Sequence, residues 1–191
     1  MGRMRWIVGA MAVALGMAAL HAMPALASPD VGEVPPDYLG KTPKGEEIRI
    51  SEHRGKVLVV TFWASWCPHC RRQFPVLDAL QQHIDPSQLR VVVVNFKEDT
   101  PTYRAILRQA RDSAVTWTHD RSGAVSDAYG VNSVPHTFVI DKAGLVANVS
   151  RGYSADSIQA FGAVIDELLA EPPPNEDPPA AEPVASFAPG A

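Results

Sequence analysis

Cys67 and Cys70 are the only cysteines in this chain of 191 residues, and they stand three positions apart in Trp66-Cys67-Pro68-His69-Cys70. Side chains at i and i+3 face one another on a helix, so the two sulfurs lie within reach of a disulfide. Ahead of them, Val57-Leu58-Val59-Val60-Thr61-Phe62 is a continuous β-branched and apolar run, which predicts a strand buried on both faces. Behind them, Phe74, Leu77, Leu80 and Ile84 recur at helical spacing until Asp85-Pro86 ends the pattern. Cys67 therefore falls at a helix N-terminus, where unpaired backbone N–H groups and the positive end of the helix dipole favour thiolate over thiol. Pro68 suits the first helical turn because no hydrogen bond is asked of its nitrogen there. This predicts Cys67 as an exposed, activated sulfur and Cys70 as the partner that resolves. A zinc site needs two further ligands, and His53, His83, His119 and His136 show no tight partner spacing. An inert disulfide closing so short a loop would remove little entropy from the unfolded chain. Reactivity is the better reason for the pair.

The surrounding pattern supplies the elements that must hold it. Glu47 to Ser51 predicts a short strand after the turn Thr42-Pro43-Lys44-Gly45, and Val91 to Phe96 a second buried strand. Two buried strands joined by a helix make a right-handed βαβ unit with a parallel pair. Pro101 to Asp112 places Tyr103, Ile106, Leu107 and Ala110 on one helical face, Thr116 to Thr118 reads as a brief strand, and Ala124 to Tyr129 as a short helix. Thr137 to Ile140 and Leu145 to Val149 flank Asp141-Lys142-Ala143-Gly144 as a hairpin. Ser154 is placed to cap a last helix carrying Ile158, Phe161, Ile165, Leu168 and Leu169 inward. Gly152, just before it, suggests either a close backbone approach or a simple loop glycine. A mixed sheet, with βαβ first and hairpin plus helix last, is the simplest assembly.

Both ends read as something other than fold. Residues 1–27 have the layout of a secretory signal: Arg3 and Arg5, then the uncharged apolar run Trp6 to Leu20, then small residues at Ala25-Leu26-Ala27. Fifteen apolar residues are short for a span of about 20, which favours cleavage over the alternative, an N-terminal anchor in the inner membrane. No cysteine follows to take a lipid. Residues 28–34 read as a linker, residues 35–170 as the domain, and residues 171–191, with seven prolines, as an extended acidic tail. Formal charge is −4, and Arg71-Arg72 is the largest basic cluster, so a nucleic-acid partner is not expected. No membrane span is expected after signal cleavage.

Phe62-Trp63-Ala64-Ser65-Trp66-Cys67-Pro68-His69-Cys70-Arg71-Arg72-Gln73-Phe74-Pro75 resembles the active-site segment of thioredoxin-fold proteins, and most closely the TlpA/ResA-type exported thiol-disulfide oxidoreductases. Ile50 to Lys56 and Gly130 to Gly144 are similar to that family too, in the expected order. The resemblance implies an α/β thioredoxin fold: a central mixed β-sheet flanked by helices, with an N-terminal β-hairpin extension and a central insertion around Glu98 to Asp120. It implies that Val134–Pro135 is a cis peptide beside Cys67, aiming the Val134 backbone at a substrate strand. Trp66, Pro68, His69, Val134 and Pro135 are thus the supporting site residues. It further implies protein thiols and disulfides as substrates, a membrane redox partner, a periplasmic or otherwise exported location, and no organic cofactor.

Within that resemblance, Thr61 stands where plain thioredoxins carry a buried aspartate, and Gln73 where TlpA/ResA-type proteins often carry a glutamate. Neither can exchange a proton near neutral pH, so reductive turnover is expected to be poor unless Lys56 or a water substitutes. His69 is expected to donate a hydrogen bond or positive charge to the Cys67 thiolate, and a Pro-His dipeptide is similar to that of strongly oxidising periplasmic oxidases. About 1.4 kcal/mol of thiolate stabilisation raises the potential by roughly 30 mV. An oxidising lean follows. The alternatives are a Cu(I)-handling metallochaperone using the same two sulfurs, and a peroxidase, disfavoured because Ala64 stands where a Thr or Ser would be wanted.

Overall fold

The computed structural model describes residues 28–173; the predicted signal segment and most of the proline-rich tail lie outside the described residues. In chain order the elements are β1 (Tyr38–Lys41), β2 (Glu47–Arg49), a 3-10 turn (Ile50–His53), β3 (Val57–Trp63), α1 (Pro68–His83), β4 (Leu89–Phe96), α2 (Thr100–Gln109), β5 (Thr116–Asp120), α3 (Ala124–Ala128), β6 (His136–Ile140), β7 (Val146–Arg151) and α4 (Ala155–Ala170). They form one seven-stranded mixed sheet in the order β2-β1-β5-β4-β3-β6-β7. β3 lies at its heart, parallel to β4 and antiparallel to β6. All seven residues of β3 are buried, as the unbroken apolar run requires.

Alternation along β3 splits the core in two. Val57, Val59 and Trp63 join Leu77, Tyr103, Phe161, Ile165 and Leu168 on the face covered by α1, α2 and α4. Leu58, Val60 and Phe62 join Leu39, Val125, Tyr129 and Val131 on the other. Phe62 packs there against Tyr129 and Phe138, with ring centroids 5.2 and 6.1 Å away. Burying one such ring contributes about 2–3 kcal/mol.

The N-terminal hairpin, β1–β2, turns at Thr42 to Glu46 with Gly45 at φ +88°, a left-handed value that only glycine adopts without strain. It extends the sheet by pairing β1 with β5. The insertion around Glu98 to Asp120 supplies α2 and β5, and β5 runs two residues beyond the predicted Thr116 to Thr118. Of the two readings of Gly152, the structure favours the loop glycine over the close approach. Open space surrounds its missing side chain, and its φ of +81° is what demands glycine.

Asp120, at the end of β5, is buried and ties the next helix to the sheet: its carboxylate accepts from the Val125 and Ser126 amides and from Ser126 Oγ. Asp120→Ala should cost about 2 kcal/mol, because it strands buried donors. A lower urea midpoint at unchanged slope is the expected reading.

Candidate active site

β3 ends at Trp63, Ala64 and Ser65 lead out of the sheet, and the Cys67 amide donates back to the Ala64 carbonyl at 3.2 Å. Cys67 is the N-cap of α1, with Pro68 in the first turn. The Cys70 amide donates to Cys67 Sγ at 3.1 Å, so the sulfur takes the place usually filled by a capping oxygen. The two cysteines are joined as a disulfide, with Cα atoms 5.3 Å apart.

From the opposite side, the segment before β6 closes on the sulfurs. Val134–Pro135 is cis, Cys67 Sγ lies 3.5 Å from the Val134 carbonyl oxygen, and the Gly152 amide donates to the Pro135 carbonyl at 2.8 Å. This places Cys67, Cys70, Pro68, Val134 and Pro135 at one end of the sheet. Trp66 stands beside them, 62% exposed.

Three expectations are corrected. Cys67 is 3% exposed, no more than Cys70, because the disulfide draws its sulfur in against the Val134 carbonyl. His69 does not turn toward the sulfur: it is exposed, and Arg72 Nη2 sits 3.0 Å from its Nδ1. A guanidinium can only donate, so Nδ1 accepts. Lys56 cannot serve Cys70, because it precedes the first residue of β3 while the cysteines follow the last.

Gln73, one turn past Cys70, is buried, and its amide donates to Thr137 Oγ1 at 3.0 Å; Thr137 Oγ1 lies 3.0 Å from Thr61 Oγ1. The positions flagged for their missing acids thus form one chain of neutral groups crossing from α1 to β6 and β3. Trp63 is buried with its ring edge-on to Trp117 at 5.1 Å, while Phe74 stacks on Trp117 at 4.9 Å. These aromatics, with Cys70, Arg71 and Ile106, border a cleft of about 570 Å³ between α1 and α2. Among the described residues, no three His, Cys, Asp or Glu side chains gather as metal ligands.

Sequence reasoning missed two groups near the site. Glu98 is 8% exposed and accepts from the Ser65 amide at 3.0 Å, from Ser65 Oγ, and from Asn95 Nδ2 at 2.6 Å. No pattern links residues 33 positions apart, so only the fold reveals it. His136, directly after Pro135, is 2% exposed, stacks on Phe138 at 4.7 Å, and has no partner for either ring nitrogen. Burial, assisted by Arg151, lowers its pKa to about 4.

The unfolded chain takes up that proton near pH 6.5, whereas the folded one resists it until about pH 4. Stability is therefore lost as pH falls through this window, by about 3 kcal/mol at its acid end. His136→Phe keeps an aromatic ring against Phe138 and should flatten the slope between pH 7 and pH 4.5, read as the difference in urea midpoints.

Comparison with known proteins gives a consistent result. The Redoxin family matches residues 22–165. Thiol-disulfide oxidoreductase ResA of Geobacillus thermodenitrificans (strain NG80-2) is 32% identical over 124 residues, covering 64% of this chain and 70% of its own. Thioredoxin-like protein YneN of Bacillus subtilis (strain 168) is 31% identical over 123 residues, covering 63% and 71%. A crystal structure from Chlorobium tepidum, described as a candidate thiol:disulfide interchange protein DsbE, superposes with a TM-score of 0.68 at 30% identity, covering 74% of this chain and 99% of that one.

Proposed function

The chain belongs to the Redoxin family and is a thiol-disulfide oxidoreductase, and from that premise we propose that it works in the cell envelope, uses Cys67 as its attacked and attacking sulfur, and leans toward oxidising its protein substrates. The observation that carries this reading is the position of Cys67 Sγ. It caps α1, accepts the Cys70 amide, and lies against the Val134 carbonyl.

In the oxidising direction a substrate thiolate attacks Cys67 Sγ. The Cys67–Cys70 bond breaks, and Cys70 leaves as a thiolate that takes a proton from solvent. A second substrate thiolate then attacks the substrate sulfur of the mixed disulfide, and Cys67 departs with the electron pair. Two electrons have passed from substrate to enzyme. The departing Cys67 thiolate is stabilised by the Cys70 amide and the start of α1, which favours the reduced protein and hence an oxidising disulfide. The reverse reaction asks Cys70 to attack, and the neutral Gln73–Thr137–Thr61 chain offers it no base.

Trp66, Pro68, His69, Val134 and Pro135 form the rim that meets the substrate, whose main chain would lie along Val134. Residues 1–27 act as the export signal, residues 28–34 as linker, residues 35–170 as the redox domain, and residues 171–191 as tail. A membrane redox protein re-oxidises the pair. Among the described residues, no helix is long and apolar enough to cross a membrane.

Equilibration with glutathione, followed by the fluorescence of Trp63 and Trp66, tests the lean. The expected potential lies above the roughly −270 mV of thioredoxin. A value at or below that figure reverses the direction.

A further inference from the structure

We infer that Glu98 is a positioning residue for the reaction of Cys67, acting through Ser65. This inference rests on the proposed role of Cys67. Ser65 has three polar atoms, and each is held: its amide and its Oγ donate to the two oxygens of Glu98, and its carbonyl accepts from Arg71 Nη1 at 2.8 Å. Two residues later comes Cys67, so the clamp fixes the peptide from which the reactive sulfur hangs. The anchor itself is over-determined. Asn95 Nδ2, fully buried on β4, donates to Glu98 Oε2, and His119 Nε2 on β5 donates to the Glu98 carbonyl at 2.9 Å. The preceding residue, Lys97, sits at φ +54°, a left-handed value that non-glycine residues rarely adopt. Its amide bonds the Asp120 carbonyl.

Disulfide exchange needs three sulfurs in line, and displacements of about 1 Å in such attacks cost up to a hundredfold in rate. A loop held at every polar atom of Ser65 meets that demand, whereas a loop held only by water does not. Arg71 comes from α1 and Glu98 from the β4–α2 connection, so the clamp also locks the start of the helix to the sheet.

The test is the rate at which the oxidised full chain exchanges with a dithiol, measured well below the melting midpoint of each variant. Glu98→Gln can reproduce every bond without the charge. Its amide oxygen accepts from the Ser65 amide and Asn95, and its amide nitrogen donates to Ser65 Oγ. Glu98→Ala removes them all. The expected result is a loss of about tenfold or more in Glu98→Ala and a rate within about threefold of wild type in Glu98→Gln. A wild-type rate in Glu98→Ala overturns the inference. So does an equal loss in both variants, which assigns the effect to charge rather than to the hydrogen-bonded frame. Should Glu98→Ala not fold, Ser65→Ala decides: a slowed rate supports the clamp and an unchanged rate overturns it. Limited alkylation of the reduced wild-type chain, read by peptide mass, reports separately on the sulfur: modification first at Cys70 sinks the reading of Cys67 on which the inference rests, whereas modification first at Cys67 supports that reading and leaves the rates of the Glu98 variants to decide the clamp.

Discussion

Cys67→Ser is expected to reduce thiol-disulfide exchange to the uncatalysed level, and Cys70→Ser to stop turnover at a covalent adduct. The two outcomes differ because the two sulfurs differ in place. Cys67 Sγ sits at the helix start, against the Val134 carbonyl, where an incoming chain can lie. Cys70 lies one turn further along α1, with its amide turned to the first sulfur. Serine at position 67 replaces a thiolate by an alcohol that does not ionise near neutral pH, so no attack begins. Serine at position 70 leaves Cys67 able to attack a substrate disulfide and removes the thiol that would resolve the product in the reducing direction, so mixed disulfides accumulate. Non-reducing electrophoresis and intact-mass measurement distinguish the two. Adducts on Cys67→Ser, or clean turnover by Cys70→Ser, would reverse the assignment.

Trp63→Ala should lower stability by about 3–5 kcal/mol, a large share of the 5–15 kcal/mol typical of a whole domain. Trp63 is the last residue of β3, buried, edge-on to Trp117 and 6.4 Å from the Phe74 ring centroid. Its loss opens a cavity at the wall of the α1–α2 cleft, one residue before the loop that carries Ser65 and Cys67. Trp63→Phe is the control. The indole N–H is buried without a partner, so phenylalanine gives up area but also relieves an unsatisfied donor, and the net cost should be about 1 kcal/mol. Urea midpoints of the two variants check the contrast, with equal losses speaking against it.

The parts of the fold legible in the sequence are those fixed by local rules. The β-branched run of β3, the change to helical spacing at α1, the Ser154 cap of α4 and the β6–β7 turn each declare themselves within a few residues. The joining of β1 to β5 does not, since the two are far apart in sequence and meet through one paired position, Lys41 with His119. At the site, two cysteines and a proline are a local signal. Glu98 is not, because a carboxylate that serves a loop 33 residues away looks like any surface acid. Gln73 and Gln81 look exposed by type but face the sheet, where Gln81 bonds the backbone of Leu89 and Val91. His69 had the right chemistry to reach the sulfur, and a neighbouring arginine one helical turn away engages it instead.

The chain enters and leaves the described fold at the same pole. Near the start, the Gly32 amide bonds the Val146 carbonyl, and the Val146 amide bonds Glu33. Near the finish, Lys142 Nζ donates to the carbonyls of Leu169 and Glu171. Lys142 lies in the turn of the β6–β7 hairpin and Val146 opens β7 directly after it, while the open end of the hairpin, at His136 and Arg151, is the one beside Pro135. Fastened to a lipid bilayer or a solid support at either end of the described fold, near Gly32 or Glu171, the domain would stand with its sulfurs pointing away from the mooring, and a bulky client could dock without first displacing the tether.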